Sequence, residues 1–472
     1  MQLKSFIFVS GGNIVRQLLV FIAQLYIVRK LGVHSYGELT IVFSLYLVIA
    51  GISDFGSRIY CWKEVLASDL KDRPAVAIKK WMARTSLAAL FLLPILLGIS
   101  LFFRGSIETL LLLYATAILA NQASFDWFFL ALDRKLSLFL FNMISGILYL
   151  LILFFILRSE RDLIFVPIAF IVSYVLPAGV LMGKDLWNSG GQYFRSSREL
   201  VGIFRDGASI PSRSRPYFLY DFMQRLYTTA IFIVAWKFFS KSMIGQFRVA
   251  HLLFTFIASM AIYLGASLFN KVHEEKSGKN SGETISYGIA AIILIILPFS
   301  IFGYGITAPF ARLLLKSQFD KSSLLILIGG LSLPALGNFI RETAVAAGHT
   351  RFSTLSYFLT IMVTGGLIVV AHQHSLAFLS VSLLIGEGMG LLLLIRFLPF
   401  PLFSKIRFRT YAVGMLVGLG LLLAEKIQAF IFQDIKGITQ ATLEISIVSL
   451  LFFFYLIILR KNGMGLWVNE QG

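Results

Sequence analysis

The sequence predicts an all-α polytopic membrane protein with about 14 transmembrane helices. The chain of 472 residues is 57% hydrophobic and only 14% charged, whereas soluble domains are roughly 45–50% apolar and about 25% charged. Apolar stretches of about 20 residues recur along the whole chain, and a helix of that length crosses a bilayer. Because charges are few and the stretches are long, helices are favoured over a β-barrel.

The predicted spans place both chain termini on one side of the membrane. They lie at roughly 5–28, 37–60, 83–103, 107–132, 136–157, 163–183, 217–239, 244–270, 284–304, 322–347, 353–371, 376–397, 411–432 and 440–459. Lys and Arg are about twice as frequent in the loops on the side of the termini, which predicts that this side is cytoplasmic. Most of the net charge of +18 is attributed to this bias, and no nucleic acid is expected as a partner.

The longest predicted loop divides the chain into two related parts. It is rich in Gly, Ser and Arg and follows the sixth span. The span that begins at Gly37 is preceded by basic residues and a short polar turn. The same order of basic residues, polar turn and glycine recurs about 208 residues later at Gly245. We therefore predict an N-terminal six-helix bundle at 1–183, a cytoplasmic connector at 184–216, a C-terminal six-helix bundle at 217–400, and two additional transmembrane helices with a cytoplasmic tail at 401–472.

The sequence carries no signature of an enzyme or a metal protein. Its single cysteine, Cys61, permits no disulfide within the chain, and its six histidines are scattered. It has no Gly-rich phosphate loop, nucleophile elbow or metal-ligand cluster. The first apolar run contains Asn13 and Arg16 and lacks a clear cleavage site, which argues against a removable signal peptide. We expect a transporter that needs no cofactor or metal.

Arginines inside the predicted spans are the first candidates for binding a substrate. A charge at the bilayer centre costs about 2.5–3.5 kcal/mol, so such residues usually face a bundle interior or water. Guanidinium groups bind phosphate oxygens in pairs of hydrogen bonds, which suits a cavity for an anionic substrate. The predicted cavity residues are Arg16, Arg58, Arg225, Arg248 and Arg341. Arg248 lies close to the start of its span, so an alternative is that it extends to the membrane surface.

Carboxylates inside the spans allow two interpretations. They are Asp54, Asp126, Asp221, Glu342 and Glu387. Asp54 with Arg58 and Asp221 with Arg225 have the i,i+4 spacing that places two side chains on one helix face. One interpretation is that the carboxylates neutralise arginines; the other is that they couple transport to a proton or sodium gradient.

Two short motifs resemble those of a known transporter family. Leu31-Gly32 is followed by Tyr36-Gly37 and preceded by bases, and Asp54-Phe55-Gly56 stands near the end of the second predicted span. Together with the duplicated layout they resemble the Wzx-type polysaccharide transporters, which flip lipid-linked oligosaccharides. That family belongs to the MOP superfamily with the MATE exporters and the lipid II flippases. The motif resemblance covers residues 1–70, and the general layout extends to about residue 400.

The resemblance implies a specific function. Two six-helix bundles would enclose a cationic central cavity that opens alternately to each side. The substrate would be an oligosaccharide on undecaprenyl pyrophosphate, such as an O-antigen or other lipopolysaccharide or surface polysaccharide unit, moved from the cytoplasmic to the periplasmic leaflet of a bacterial inner membrane. Membrane lipids, a polysaccharide polymerase and glycosyltransferases are the implied partners.

Two other functions compete with the flippase. An ion-coupled multidrug exporter of the same superfamily would favour exposed carboxylates, whereas these spans contain more arginine than such a site needs. A membrane glycan polymerase or ligase usually carries a large extracytoplasmic loop, and the predicted outward loops are all short.

Overall fold

The computed structural model describes residues 2–69, 71–122, 126–185, 197–274, 320–370 and 375–398, with the isolated positions 285, 288, 289, 292, 296 and 300. All regular elements in these ranges are helices. The chain divides into two compact units: an N-terminal unit, Ile7–Gly245, and a C-terminal unit, Gln246–Gly472 with Met1–Phe6. The predicted spans at 411–432 and 440–459 lie outside the described residues. The bundle boundaries at 183, 216 and 400 stay predictions.

Most helices of the described residues belong to the N-terminal unit. They are α1 (Gln2–Asp54), α2 (Ser57–Ala67), α3 (Arg73–Phe102), α4 (Ser106–Gln122), α5 (Asp126–Ala131), α6 (Lys135–Ile156), a 3-10 turn (Glu160–Ile164), α7 (Phe165–Asp185), α8 (Ser197–Arg213) and α9 (Arg215–Trp236). Helix α6 packs against α7, α3 packs against α4 and α8, and α2 packs against α3 and α9.

Helix α1 contains two successive segments joined at a glycine. Its 53 residues would extend about 80 Å if they were straight, which is far longer than the hydrocarbon core of about 30 Å. Gly32 breaks the helix with φ 74° and ψ 168°, a conformation that glycine adopts without a steric penalty. The second segment ends at Asp54, earlier than the predicted end near residue 60, because Phe55 and Gly56 both have positive φ.

The C-terminal unit contains α10 (Lys241–Glu274, apart from its first residues), α11 (Lys321–Gly329), α12 (Ser332–Ala346), α13 (Thr350–Val370) and α14 (Leu376–Phe397). A Cβ atom on Gly386 would lie 2.8 Å from Thr360 O, and one on Gly390 would lie 3.0 Å from Ser356 O. These two glycines of α14 therefore let α13 pack closely against it, as small residues do between membrane helices.

Several helices can cross a membrane by length and composition. In the described ranges there are six of these, or seven if α11 and α12, which are bent by 50°, form one broken span. Exposed leucines on α3 illustrate the surface that faces lipid, since Leu90, Leu93, Leu97 and Leu101 are each more than half exposed. The chain is a multi-pass helical membrane protein, and the total of about 14 spans stays a prediction.

Candidate functional site

A carboxylate and two arginines form an enclosed cluster in the N-terminal unit. The Asp54 side chain is 0% exposed; its Oδ1 lies 3.1 Å from Arg84 Nη2, and its Oδ2 lies 3.0 Å from Arg225 Nη2. Ser57 Oγ donates a hydrogen bond to Asp54 Oδ1 and accepts one from Arg84 Nε at 2.9 Å. Arg225 Nε donates to Asp221 Oδ2 at 2.8 Å. Charge-assisted hydrogen bonds thus link α1, α2, α3 and α9.

The ion pairs of this Asp54 cluster join two carboxylates, Asp54 and Asp221, to two guanidinium groups, Arg84 and Arg225. Arg58 adds a further positive charge that acts on Asp54. Taking an ion out of water costs several kcal/mol, and a buried pair recovers this only with good geometry and further hydrogen bonds, both of which are present here. The Arg225 side chain is 17% exposed and the Arg84 side chain 1%, so Arg225 is the more accessible arginine of the cluster.

A helix break positions Asp54. Phe55 has φ 51° and Gly56 has φ 68°, so the chain turns between α1 and α2. Ser214 Oγ donates a hydrogen bond to Phe55 O, and a Cβ atom on Gly56 would lie 2.5 Å from Phe218 N. The start of α9 is therefore packed directly on the Asp54-Phe55-Gly56 motif. The break places Asp54 at the end of α1 and Arg58 in α2, and Arg58 still interacts electrostatically with the Asp54 carboxylate.

A second buried ion pair lies in the C-terminal unit. Arg341 Nη2 is 3.1 Å from Glu387 Oε2, and both side chains are 0% exposed. Arg341 also donates to Ser356 Oγ at 3.0 Å and to Thr360 Oγ1 at 3.2 Å, and its Cζ lies 4.4 Å from the centre of the Tyr357 ring. The pair links α12, α13 and α14. In this conformation Arg341 does not reach solvent, and its predicted role in substrate binding stays a prediction.

The half-buried Arg16 has a different environment. Its Nη1 donates to Asn142 Oδ1 at 3.2 Å, and its Cζ lies 4.6 Å from the centre of the Tyr174 ring. Asn142 Nδ2 donates to Asn13 Oδ1 at 3.0 Å. Within the described residues Arg16 forms no ion pair, and its contacts are with neutral groups on α6 and α7. Its positive charge is therefore not neutralised by a neighbouring carboxylate there.

The two glycines of the sequence repeat meet in the N-terminal unit. A Cβ atom on Gly37 would collide with Lys241 O, and one on Gly245 would collide with Val33 O. These contacts are reciprocal, as they would be across a two-fold axis. Ser242 Oγ also lies 3.4 Å from His34 Nδ1, and these two residues are 208 positions apart. The offset equals that of the sequence repeat. Beside this crossing Lys241 Nζ donates to Glu38 Oε2 at 2.9 Å.

The other predicted site residues are placed as follows. Asp221 and Arg225 form the predicted i,i+4 pair. Arg248 Nη1 lies 3.2 Å from His251 Nδ1, and the side chains of Arg58 and Glu342 are half-buried. The side chain of Asp126 lies outside the described residues. Among the residues that are described, no group of three or more His, Cys, Asp or Glu could hold a metal ion.

Arg84 is the main member that the sequence analysis missed. It stands at the first turn of the predicted third span, four residues after Lys80, and it was not among the predicted cavity arginines. Arg84 could have been considered as a partner of Asp54 because it is another arginine inside a predicted span. Contacts between different helices follow no fixed spacing along the chain, so the sequence does not reveal this one.

Comparisons with known proteins show the fold. No family model matches the sequence, and no curated protein does. The lipid II flippase MurJ, in an inward closed conformation, is similar with a TM-score of 0.68 and 14% identity, covering 96% of this chain and 99% of that chain. A MATE in complex with MaD3S is similar with a TM-score of 0.60 and 16% identity, covering 87% and 96%.

A third solved structure agrees with these two. It is a MOP superfamily transporter from Pyrococcus furiosus, with a TM-score of 0.60 and 14% identity, covering 83% of this chain and 94% of that chain. Each identity is too low to transfer a substrate. The likeness extends over most of every chain compared, so this protein has the fold of the transporters of the MOP superfamily.

Proposed function

We propose that this protein is a flippase that moves an oligosaccharide linked to undecaprenyl pyrophosphate from the cytoplasmic to the periplasmic leaflet of a bacterial inner membrane. The observation that carries the proposal is the environment of Arg16, a charged side chain in an apolar helix whose contacts are neutral. A lipid II flippase has a similar fold over 96% of this chain, so the fold is compatible with a lipid-linked substrate.

Arg16 has the chemistry to bind a phosphate. An intramembrane arginine that pairs with no carboxylate of the described residues has a desolvation cost that an anionic ligand would offset. Asn142 holds one nitrogen of the guanidinium and Tyr174 lies against its face, so the group is oriented while other nitrogens are left to donate. A diphosphate offers oxygens that match this fork. Asn13 and Asn142 add amides of the kind that bind sugar hydroxyl groups.

The described carboxylates argue against an exporter of cations. Asp54 and Asp221 are engaged by arginines, Glu38 by Lys241, and Glu387 by Arg341. An organic cation would have to compete with these ion pairs. The alternative remains testable, because a MATE has the same fold. Coupling to a proton or sodium gradient, and work with a polymerase and glycosyltransferases, stay predictions.

The proposal is tested in a strain that lacks the gene and in proteoliposomes. Loss of the protein should leave the lipid-linked oligosaccharide in the inner leaflet and remove surface polysaccharide. The variant Arg16→Gln should reduce transport at least tenfold while it keeps normal expression, because it removes the charge and leaves the amide contacts. Arg29→Gln, at an exposed position of the same helix, is the matched control and should transport normally.

Two results would overturn the proposal. One is normal surface polysaccharide, with no retained lipid-linked oligosaccharide, in the strain that lacks the gene. The other is full transport by Arg16→Gln at wild-type expression. Increased sensitivity of the deletion strain to cationic dyes, with unchanged glycan, would assign the protein to drug export.

A further inference from the structure

Helix α8 carries an apolar stripe that the protein leaves exposed. Val201 is 66% exposed and Phe204 is 61% exposed, and Ala208 follows on the same side of the helix. Arg205 and Arg213, both exposed, lie on the adjoining side of the helix. The helix is too polar to be a candidate span. An exposed aromatic and aliphatic stripe beside arginines is typical of a helix that lies in a membrane surface.

The remaining side of α8 is fixed to the protein. Ile203 and Ile210 are buried, and a Cβ atom on Gly207 would lie 2.6 Å from Ala83 O of α3. Asp206 Oδ2 forms an ion pair with Lys79 Nζ at 3.1 Å. The helix therefore has three sides: one packed on α3, one exposed and apolar, and one exposed and basic.

The position of α8 along α3 corresponds to the membrane boundary. Its contacts on α3 are at Lys79, Ala83 and Ser86, and the exposed leucine surface of α3 begins at Leu90. At 1.5 Å per residue, Leu90 lies about 10 Å from Ala83 along the axis of α3. The apolar face of an interfacial helix typically enters the headgroup boundary by about 5–10 Å, so this distance fits a helix at the membrane surface.

The surface fits an anionic lipid layer. Arg205 and Arg213 supply positive charge on α8, and the exposed Arg215 continues it at the start of α9. The exposed Arg213 guanidinium also forms a hydrogen bond with the Tyr60 side chain of α2, which fixes that end of the helix. Asp206, which would oppose such contact, is already paired with Lys79. We propose that α8 binds the surface of an anionic leaflet, with Val201, Phe204 and Ala208 in the acyl region and Arg205 and Arg213 on lipid phosphates. This binding does not depend on which molecule the protein transports.

The depth of α8 is tested with bimane attached to single introduced cysteines in full-length protein in liposomes. Phe204→Cys and Val201→Cys probe the apolar stripe, and Ser209→Cys, which lies between Arg205 and Arg213 on the same side of the helix, probes the polar edge. The unsubstituted protein, whose Cys61 is buried, controls for labelling. Brominated lipid should quench bimane at 204 and 201 several times more strongly than at 209, and acrylamide should show the opposite order. Equal acrylamide quenching at 204 and 209 would place the helix in water and overturn the proposal. Protection of position 204 from both quenchers would show that protein covers the stripe and would also overturn it.

The preference for anionic lipid is tested with the same probe at position 204. Brominated phosphatidylglycerol should quench it more than brominated phosphatidylcholine at equal mole fraction. Arg205→Gln with Arg213→Gln should weaken this preference by about fivefold for each arginine at low salt, since each base near an anionic surface contributes an attraction of that order. The control Arg104→Gln, at the opposite end of α3, should leave the preference unchanged. No preference in the unsubstituted protein, or one that survives the double substitution, would overturn the role of the arginines.

Discussion

Replacing Asp54 with Asn should destabilise the N-terminal unit strongly. The substitution keeps the shape of the side chain but leaves Arg84 and Arg225 with one carboxylate, Asp221, between them. Asp54 and Arg84 are almost completely buried, so water cannot compensate for the lost charge. Removing one partner of a buried ion pair typically costs about 3–5 kcal/mol, and we expect a loss of free energy of unfolding in that range.

The measurement is an SDS titration in mixed micelles, followed by the loss of helical circular dichroism. Asp54→Asn combined with Arg225→Gln removes both partners of one ion pair, so neither leaves the other buried without its charge. The double variant should therefore be more stable than the sum of the two single changes, by about 1–3 kcal/mol of coupling. Asp54→Asn with a loss below about 1 kcal/mol, or additive single changes, would show that the cluster is not a stabilising ion network.

Three further predictions concern backbone approach and the second ion pair. Gly56→Ala should lower the free energy of unfolding by about 2–5 kcal/mol, because it combines strain at φ 68° with a collision against α9. The control Gly105→Ala, at φ 72° with nothing within 4 Å, should lower it by only about 1–2 kcal/mol. Equal losses in the same titration would refute the packing argument. Glu387→Gln should cost about 3–5 kcal/mol by leaving a buried arginine without its carboxylate, measured as above, and a neutral outcome would contradict it. Gly37→Ala and Gly245→Ala should reduce folded yield on size-exclusion chromatography to a similar extent, since their contacts are reciprocal, and a large difference would argue against a local two-fold relation.

The fold class could be predicted because it depends on composition and on the length of apolar runs. The break near Gly32 was predicted because a short segment with glycine and basic residues separates two apolar runs. The equivalence of Gly37 and Gly245 was predicted from a repeat in the sequence. These features depend on neighbours in sequence. By contrast, the end of α1 at Asp54 was misplaced, since an apolar run continues through Phe55 and only the positive φ of two residues ends the helix.

The candidate site was less predictable, because its contacts join distant parts of the chain. Asp54 meets Arg225 across 171 positions and Arg84 across 30, and neither separation has a helical period. The i,i+4 rule found Asp221 and Arg225, which lie on one helix. It also paired Asp54 with Arg58, which still acts on Asp54 electrostatically, but it could not reveal the contacts of Asp54 with Arg84 and Arg225. Sequence spacing thus identifies pairs within one helix, whereas packing determines pairs between helices.

Charge balance separates the intramembrane arginines by role. Arg225 contacts Asp54 and Asp221, and Arg84 contacts Asp54. Arg341 contacts Glu387, so each of these arginines is paired with a carboxylate inside the protein. An anionic substrate at either one would have to disrupt an ion pair. Arg16 contacts neutral groups, so binding an anion there requires no such exchange. Substitution of Arg341 should therefore lower the stability of the protein before it affects recognition, whereas substitution of Arg16 should lower transport at nearly constant stability. The ratio of these two effects, measured on the same variants, distinguishes a substrate-binding arginine from one that holds helices together.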